Sequence, residues 1–182
     1  MINEMLNDQP TFSISVDIIN NTIINPLGTH EITIFFDYNC SYCKKELQIL
    51  RELIRNNKDI RLIIKPIPIL GEFSLKAAEV GHAILAYEPN KYLKYLRYIM
   101  DEFNFDDDLI YKALVFSDVN IERTKFLIDV MKKTIDSVIN NDLKLSKSFG
   151  ITATPTFIIN NKVVCGIFEF EKLKEKIFAS LN

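Results

Sequence analysis

No stretch of the 182-residue sequence approaches the ~20 consecutive apolar residues that a membrane-spanning helix needs. The opening MINEMLNDQP is polar where a secretory signal would be apolar. The chain as given is therefore expected to be soluble and to carry no address of its own. An excess of either charge is also missing. Twenty-two basic residues answer 24 acidic ones, for a net charge of −2, so no field exists to draw in a phosphate backbone or an anionic membrane. Nucleic acid is not expected as a partner. Histidine occurs twice and cysteine three times. No internal repeat, low-complexity tract or flexible linker divides the chain, so one domain is expected over residues 1–182. What remains is 48% hydrophobic and 25% charged, the balance of one globular domain rather than a disordered or fibrous chain. A compact chain of this size buries roughly 70% of the surface its unfolded form exposes. It needs no disulfide or metal as a staple, and its cysteines are free to be functional.

Strands and helices alternate at both ends, with a run of helices between, which suggests an α/β domain carrying an insertion. EITIFFD (31–37) is a short β-branched and aromatic run that reads as a strand buried on both faces. Apolar Leu47, Leu50, Leu53 and Ile54 then recur at helical spacing with charges between them, until Asn56 and Asn57 stop the pattern. RLIIKPIPIL (61–70) begins as a second buried strand, whose pairing should end near Lys65 because Pro66 and Pro68 cannot donate. From 72 to 149 the periodicity is helical. Ala77, Ala78, Val80, Ala83, Ile84 and Tyr87 share one helix side that Pro89 ends. Tyr92, Tyr95, Leu96, Ile99 and Phe103 form the next stripe, and segments 107–116, 121–131 and 135–149 follow, with Gly150 as the last stop. TFIIN (156–160) and KVVCG (162–166) read as a hairpin around Asn160-Asn161, and 169–181 as a closing amphipathic helix. Phe12, Ile14 and Val16 alternate as an edge strand would.

Cys40 and Cys43 stand between the first strand and a helix. Two intervening residues put both sulfurs in the first helical turn, within the separation a disulfide needs. Cys40, at the N-terminus, faces unpaired backbone N–H groups and the positive end of the helix dipole, both of which favour the thiolate. It is expected to attack. Cys43, one turn in and on the buried side, is expected to resolve the mixed disulfide. A structural zinc site also uses C-x-x-C but needs two more ligands. Only Cys165, His30 and His82 remain, scattered singly, with no second C-x-x-C or H-x-x-x-H. No metal and no cofactor are expected. Cys165 lies in an apolar strand and is expected to pack in the core as a small hydrophobe. His30, His82 and the tyrosine stripe are read as structural.

A strand, the Cys40-Ser41-Tyr42-Cys43 helix, a strand, a helical insert, then Thr154-Pro155 leading a hairpin and a last helix: this order resembles the thioredoxin-fold family. FFDYNCSYCKKE, PIPILGEFS and GITATPTFIINNKVVCG look like the DsbA-type and ScsC-like thiol oxidoreductases, and they run in the expected order across about 31–181. The resemblance implies a thioredoxin-like core of 31–70 and 151–182, a helical insertion at 71–150 and an N-terminal segment at 1–30. It further implies a cis bond before Pro155, facing the cysteines, with the backbone of Thr154 offered to an extended substrate. An X–Pro cis bond costs only about 0.5–1 kcal/mol over trans, so the position tolerates it.

Two departures bear on the chemistry. Relatives of the DsbA type carry a buried Glu six residues before the first cysteine as a proton acceptor for the resolving thiol; Ile34 stands there, so Cys43 must use water or another group. Strongly oxidising relatives have His before the second cysteine, where this chain has Tyr42. Ser41 and Tyr42 between the sulfurs, together with Lys44 on the Cys40 side of the helix, are taken as the tuning residues. The dipole alone gives about 0.3–1 kcal/mol, up to ~2 when partly buried, hence about one pKa unit of acidification. The resulting expectation is thiol–disulfide exchange on cysteine-bearing protein substrates in a periplasmic or other extracytoplasmic compartment. Disulfide isomerisation stands slightly ahead of DsbA-type oxidation, in which a membrane redox partner recharges the pair. Relatives oligomerise through an N-terminal segment, so a homo-oligomer is a further expectation. The reading from a different class is a noncatalytic module holding copper or zinc on Cys40 and Cys43.

Overall fold

The structure, a computed structural model, describes residues 14–17, 21–102 and 106–179. Phe12, Phe103 and positions 180 and 181 of the expected closing helix lie outside them. The strands are β1 (Ile14–Asp17), β2 (Asn21–Ile24), β3 (His30–Phe36), β4 (Ile60–Pro66), β5 (Thr156–Ile159) and β6 (Lys162–Cys165). The helices are α1 (Ser41–Asn56), α2 (Glu72–Tyr87), α3 (Pro89–Asp101), α4 (Asp107–Phe116), α5 (Ile121–Ser148) and α6 (Phe170–Phe178). The described strands form one sheet in the order β1-β2-β4-β3-β5-β6. Only β3 and β4 are parallel, joined through α1; the other pairs are antiparallel.

The central position of β3 explains its sequence. With β4 on one side and β5 on the other, and helices over the sheet, Ile32, Thr33, Ile34, Phe35 and Phe36 are all buried, as a continuous apolar run requires. Ile32, Ile34 and Phe36 join the main core with Leu50, Leu53 and Ile54 of α1, whereas Phe35 packs with Ile67 and Ile151 in a second cluster. The pairing of β4 reaches Pro66, opposite Phe36, one residue past the expected end. The missing donor is tolerated because β2 pairs with β4 only from Leu62 to Ile64, leaving Pro66 with one neighbouring strand.

The two helices expected at 121–131 and 135–149 are one continuous α5. Lys132, Lys133 and Thr134 separate their apolar stripes but include no glycine or proline to break the backbone. Asn120 caps its start by accepting from the Arg123 N–H at 2.9 Å. At the other end Gly150 takes φ +69° while the Ile151 N–H returns to the Ser146 carbonyl at 2.9 Å, a left-handed helix stop. Asn160 and Asn161, at φ 51° and 61°, make the tight β5–β6 turn.

The tyrosine stripe is core. Tyr92 and Tyr95 are buried, Tyr92 shares a 3.1 Å hydrogen bond with Tyr38, and Tyr95 donates to the Ala77 carbonyl at 3.0 Å. His30 packs edge-on against Phe178. His82 has a buried Nε2 without a hydrogen-bond partner among the described residues, and burial holds its pKa down to about 4, with the Lys65 charge adding to the effect. Lys65 itself donates to Asp142 at 2.6 Å, a buried ion pair joining β4 to α5. Cys165 is not in the core. It is exposed, because β6 is the last strand of the sheet and pairs only with β5.

Candidate active site

β3 ends at Phe36 and α1 begins at Ser41, so the intervening loop delivers Cys40 to the helix as its N-cap, with φ −97° and ψ 111°. The loop is held from below by Asp37, which is fully buried. One carboxylate oxygen accepts from the Asn39 N–H at 2.7 Å and the Ser74 hydroxyl at 2.6 Å. The other accepts from the Ile69 and Leu70 N–H groups at 2.7 and 2.9 Å. Asn39 Nδ2 adds a bond to the Leu70 carbonyl at 3.2 Å. Together they clasp the cysteine loop to the segment after β4, placing the exposed side chains of Ile69 and Leu70 beside it.

Cys40 and Cys43 are both free thiols, 5% and 0% exposed. Cys40 Sγ accepts from the Cys43 N–H at 3.3 Å and, as a thiol, donates to the Thr154 carbonyl at 3.3 Å. The bond between Thr154 and Pro155 is cis. The Pro155 carbonyl in turn accepts from the Gly166 N–H at 3.1 Å, which ties this loop to the end of β6. Chain segments 114 residues apart thus meet at one sulfur.

The two thiols are driven in opposite directions. Hydrogen bonding from the Cys43 thiol, then from the Thr154 side chain and from the backbone N–H groups of Cys43 and Tyr42, brings the Cys40 pKa down to about 6 against the opposing effect of burial. Burial, reinforced by the bond Cys43 makes to Cys40, pushes Cys43 far above the ordinary thiol range. The shift on Cys40 exceeds the one unit expected from the helix dipole, because the neighbouring thiol and Thr154 add donors that sequence position alone does not reveal. The first turn of α1 holds no acidic residue to oppose it.

The remaining candidates separate. Ser41 and Tyr42 are exposed, Tyr42 at 64%. Lys44 is buried; burial lowers its pKa, against the opposing charges of Glu102 and Asp101 at the end of α3. Two residues escaped the sequence reading. Asp37 had a faint signal, a carboxylate where a buried strand meets the cysteine motif. Glu46 had a clearer one, since it sits three residues after Cys43 on the face that Leu50, Leu53 and Ile54 bury, yet it reads as one of the charges between them. It is fully buried. Its Oε2 accepts from the Phe168 N–H at 3.0 Å, its Oε1 is buried without a hydrogen-bond partner among the described residues, and burial raises its pKa.

Against known proteins, the family model described as Thioredoxin matches residues 23–178. No curated protein matches. The chain is similar to Proteus mirabilis ScsC in a transitional conformation, with 28% identity and a TM-score of 0.73 over 82% of this chain. It spans 66% of the length of that protein. The thiol-disulfide exchange protein alpha-DsbA2 of Wolbachia pipientis is 25% identical, with a TM-score of 0.79 over 96% of this chain and 91% of its own. A thioredoxin-like oxidoreductase from Silicibacter pomeroyi shares the fold at a TM-score of 0.80 and 23% identity, covering 90% of this chain and 95% of the other.

Proposed function

The chain belongs to the thioredoxin family, in its DsbA-like branch, and we propose that it is a thiol–disulfide oxidoreductase acting on cysteine-bearing proteins through Cys40 and Cys43. The observation that carries this reading is the asymmetry of the pair. Cys40, at the helix N-cap and with a pKa near 6, is largely thiolate at neutral pH, while buried Cys43 holds its proton. Cys40 attacks a substrate disulfide or receives a substrate thiolate, and Cys43 releases the mixed disulfide by attacking Cys40 from the buried side.

Several features support a protein substrate. Thr154 and Pro155 border the reactive sulfur, where an extended segment can lie along their backbone. Tyr42, Ile69 and Leu70 offer exposed apolar side chains around the cysteine loop, a surface suited to unfolded chain. Ser41 and Tyr42 set the environment between the sulfurs. Among the described residues no helix is long and apolar enough to cross a membrane. The proposed setting is an oxidising, extracytoplasmic compartment, where this chemistry has disulfides to act on.

Within the class we favour isomerisation, because Tyr42 brings no cation to the thiolate and Ile34 no acid. Such an enzyme gains from holding its client, which is the role proposed for a homo-oligomer formed through the N-terminal segment. The oxidase reading is favoured by one observation, the Cys40 pKa of about 6. Two units beyond the dipole's share make the pair more oxidising by roughly 60 mV, at about 30 mV per unit; an oxidase would draw on a membrane partner for recharging. Cys43→Ala should trap mixed disulfides with protein substrates and Cys40→Ala should not; adducts found on Cys43 alone would refute the assignment. The reduction potential, measured beside refolding of a scrambled-disulfide substrate, separates the two directions. A strongly oxidising potential with no recovery of the scrambled substrate rejects the isomerase. Thiol reactivity that appears only after a chelator is added would point instead to a metal module.

A further inference from the structure

The reaction proposed above leaves one proton without a destination. Cys43 must become a thiolate to resolve a mixed disulfide, since the thiolate is the attacking species, yet it is wholly buried and its thiol form is strongly favoured. Ile34 offers no acceptor. Asp37 already takes four hydrogen bonds that hold the loop. Asp142 is committed to Lys65, which aligns with Phe35 on the sheet face opposite Ile34 and Phe36.

Glu46 is differently placed. It lies at i+3 from Cys43 on the same buried face of α1, where Cβ atoms stand about 5–6 Å apart. Residues three apart on one helix face are neighbours, so the Glu46 side chain springs from the turn that follows Cys43. Oε2 is anchored by the Phe168 N–H. The Phe168 ring packs on Phe157 at 5.9 Å, and Phe157 is the strand partner of Ile34, the position lacking an acid. Oε1 is left buried and without a hydrogen-bond partner among the described residues, an arrangement that is costly in a purely structural role.

We propose that Glu46 is the proton acceptor and donor for Cys43, reached directly or through one water. The inference rests on the thiol-exchange reading. When the mixed disulfide resolves, the Cys43 S–H proton passes to the Glu46 carboxylate and the thiolate attacks Cys40 Sγ. The bond from Cys40 to the substrate sulfur breaks, and the electron pair leaves with that sulfur, which takes a proton from solvent. The Cys40–Cys43 disulfide forms, the substrate is reduced, and Glu46 returns its proton to solvent. In the opposite direction Cys43 departs as a thiolate and Glu46 protonates it. The charged groups facing Glu46 are Lys45 on its own helix and Glu169 at the start of α6; Ile34 and Phe157 on the sheet carry none.

The test reacts the reduced full-length chain with glutathione disulfide and follows, by acid quench and mass spectrometry, formation and then resolution of the adduct on Cys40. Glu46→Gln keeps the volume and the acceptor for the Phe168 N–H. It should leave adduct formation unchanged, slow resolution about 100-fold, the low end of a positioned proton acceptor's contribution, and remove the carboxyl ionisation from the pH profile of that step. Resolution at the wild-type rate and pH profile would overturn the proposal with the thiol-exchange reading intact. No adduct on wild-type Cys40 would overturn both. Should Glu46→Gln fail to fold, infrared titration of the Glu46 carboxyl in the wild-type protein decides. Its titration should differ between the reduced and disulfide forms, and identical titration in both would reject the coupling.

Discussion

Replacing Cys43 by alanine should make Cys40 less acidic, and the size of the change tests whether the neighbouring thiol, rather than the helix alone, holds the thiolate. The Cys43 thiol is the largest influence lowering Cys40, ahead of Thr154 and the N–H groups of Cys43 and Tyr42. A hydrogen bond to a charged group contributes about 1.5–3 kcal/mol, which corresponds to about 1–2 pKa units. The midpoint should therefore move from about 6 to roughly 7–8 in Cys43→Ala, read from the ultraviolet absorbance of the thiolate as pH is raised. Thr154→Val should move it in the same direction by less. A midpoint that stays within a few tenths of wild type in Cys43→Ala would refute the reasoning. The same shift has a signature in stability. An unfolded cysteine titrates near ~8.5, so the reduced fold gains stability from Cys40 that is complete above that value, declines as pH falls toward 6, and is absent below it. The upper bound is about 3 kcal/mol, lessened by whatever solvent reaches the sulfur. The Cys40–Cys43 disulfide has no such titration, so the Tm of the reduced form relative to the oxidised form should climb with pH across this window. A flat or falling difference would contradict the assignment.

Four further outcomes are expected. Tyr42→His should raise the reduction potential, by about 30 mV for each pKa unit its cation removes from Cys40; a glutathione equilibrium showing no change, or a fall, would mean the exposed position does not couple to the sulfur. His82, held neutral with a pKa of about 4, lets the unfolded chain bind the proton first as pH drops from ~6.5. Stability should decline toward pH 4 by up to about 3 kcal/mol, and urea midpoints of His82→Leu should be less sensitive to pH in that range than wild type. Lys65→Met should cost about 3–5 kcal/mol by stranding the Asp142 carboxylate, whereas Lys65→Met with Asp142→Leu should recover most of it; equal losses in the single and double variants would argue against burial of an unpaired charge as the cause. In Gly81→Ala the new Cβ would stand 2.7 Å from the Tyr38 hydroxyl and 3.1 Å from the Tyr92 ring. Both rings are fully buried, so overpacking of about 1–3 kcal/mol should outweigh the ~1 kcal/mol helix preference for alanine, and a raised Tm would show that the pair can shift.

Local pattern determined the parts of this protein that depend on neighbours in sequence. The β-branched and aromatic run before Cys40 could only be a central strand, Asn160-Asn161 only a tight turn, and two cysteines at a helix start a pair that can open and close. Each follows from backbone geometry and periodicity within a few residues. The first strands were less legible, because β2 is defined by its pairing with β4 across about forty residues, and the continuity of α5 because charged residues between apolar stripes interrupt a pattern without breaking a helix. Tertiary structure alone decided the chemistry of the site. It brought Thr154 to Cys40 and lowered that thiol beyond what the dipole could do, and it buried Lys44. It also left Cys165 exposed on an edge strand that its apolar neighbours had suggested was interior. Glu46 makes the same point most directly: a charge on a helix face is ordinary when that face meets water and becomes a proton-exchanging group when it is buried, and which of the two applies depends on the dielectric and partners supplied by distant segments.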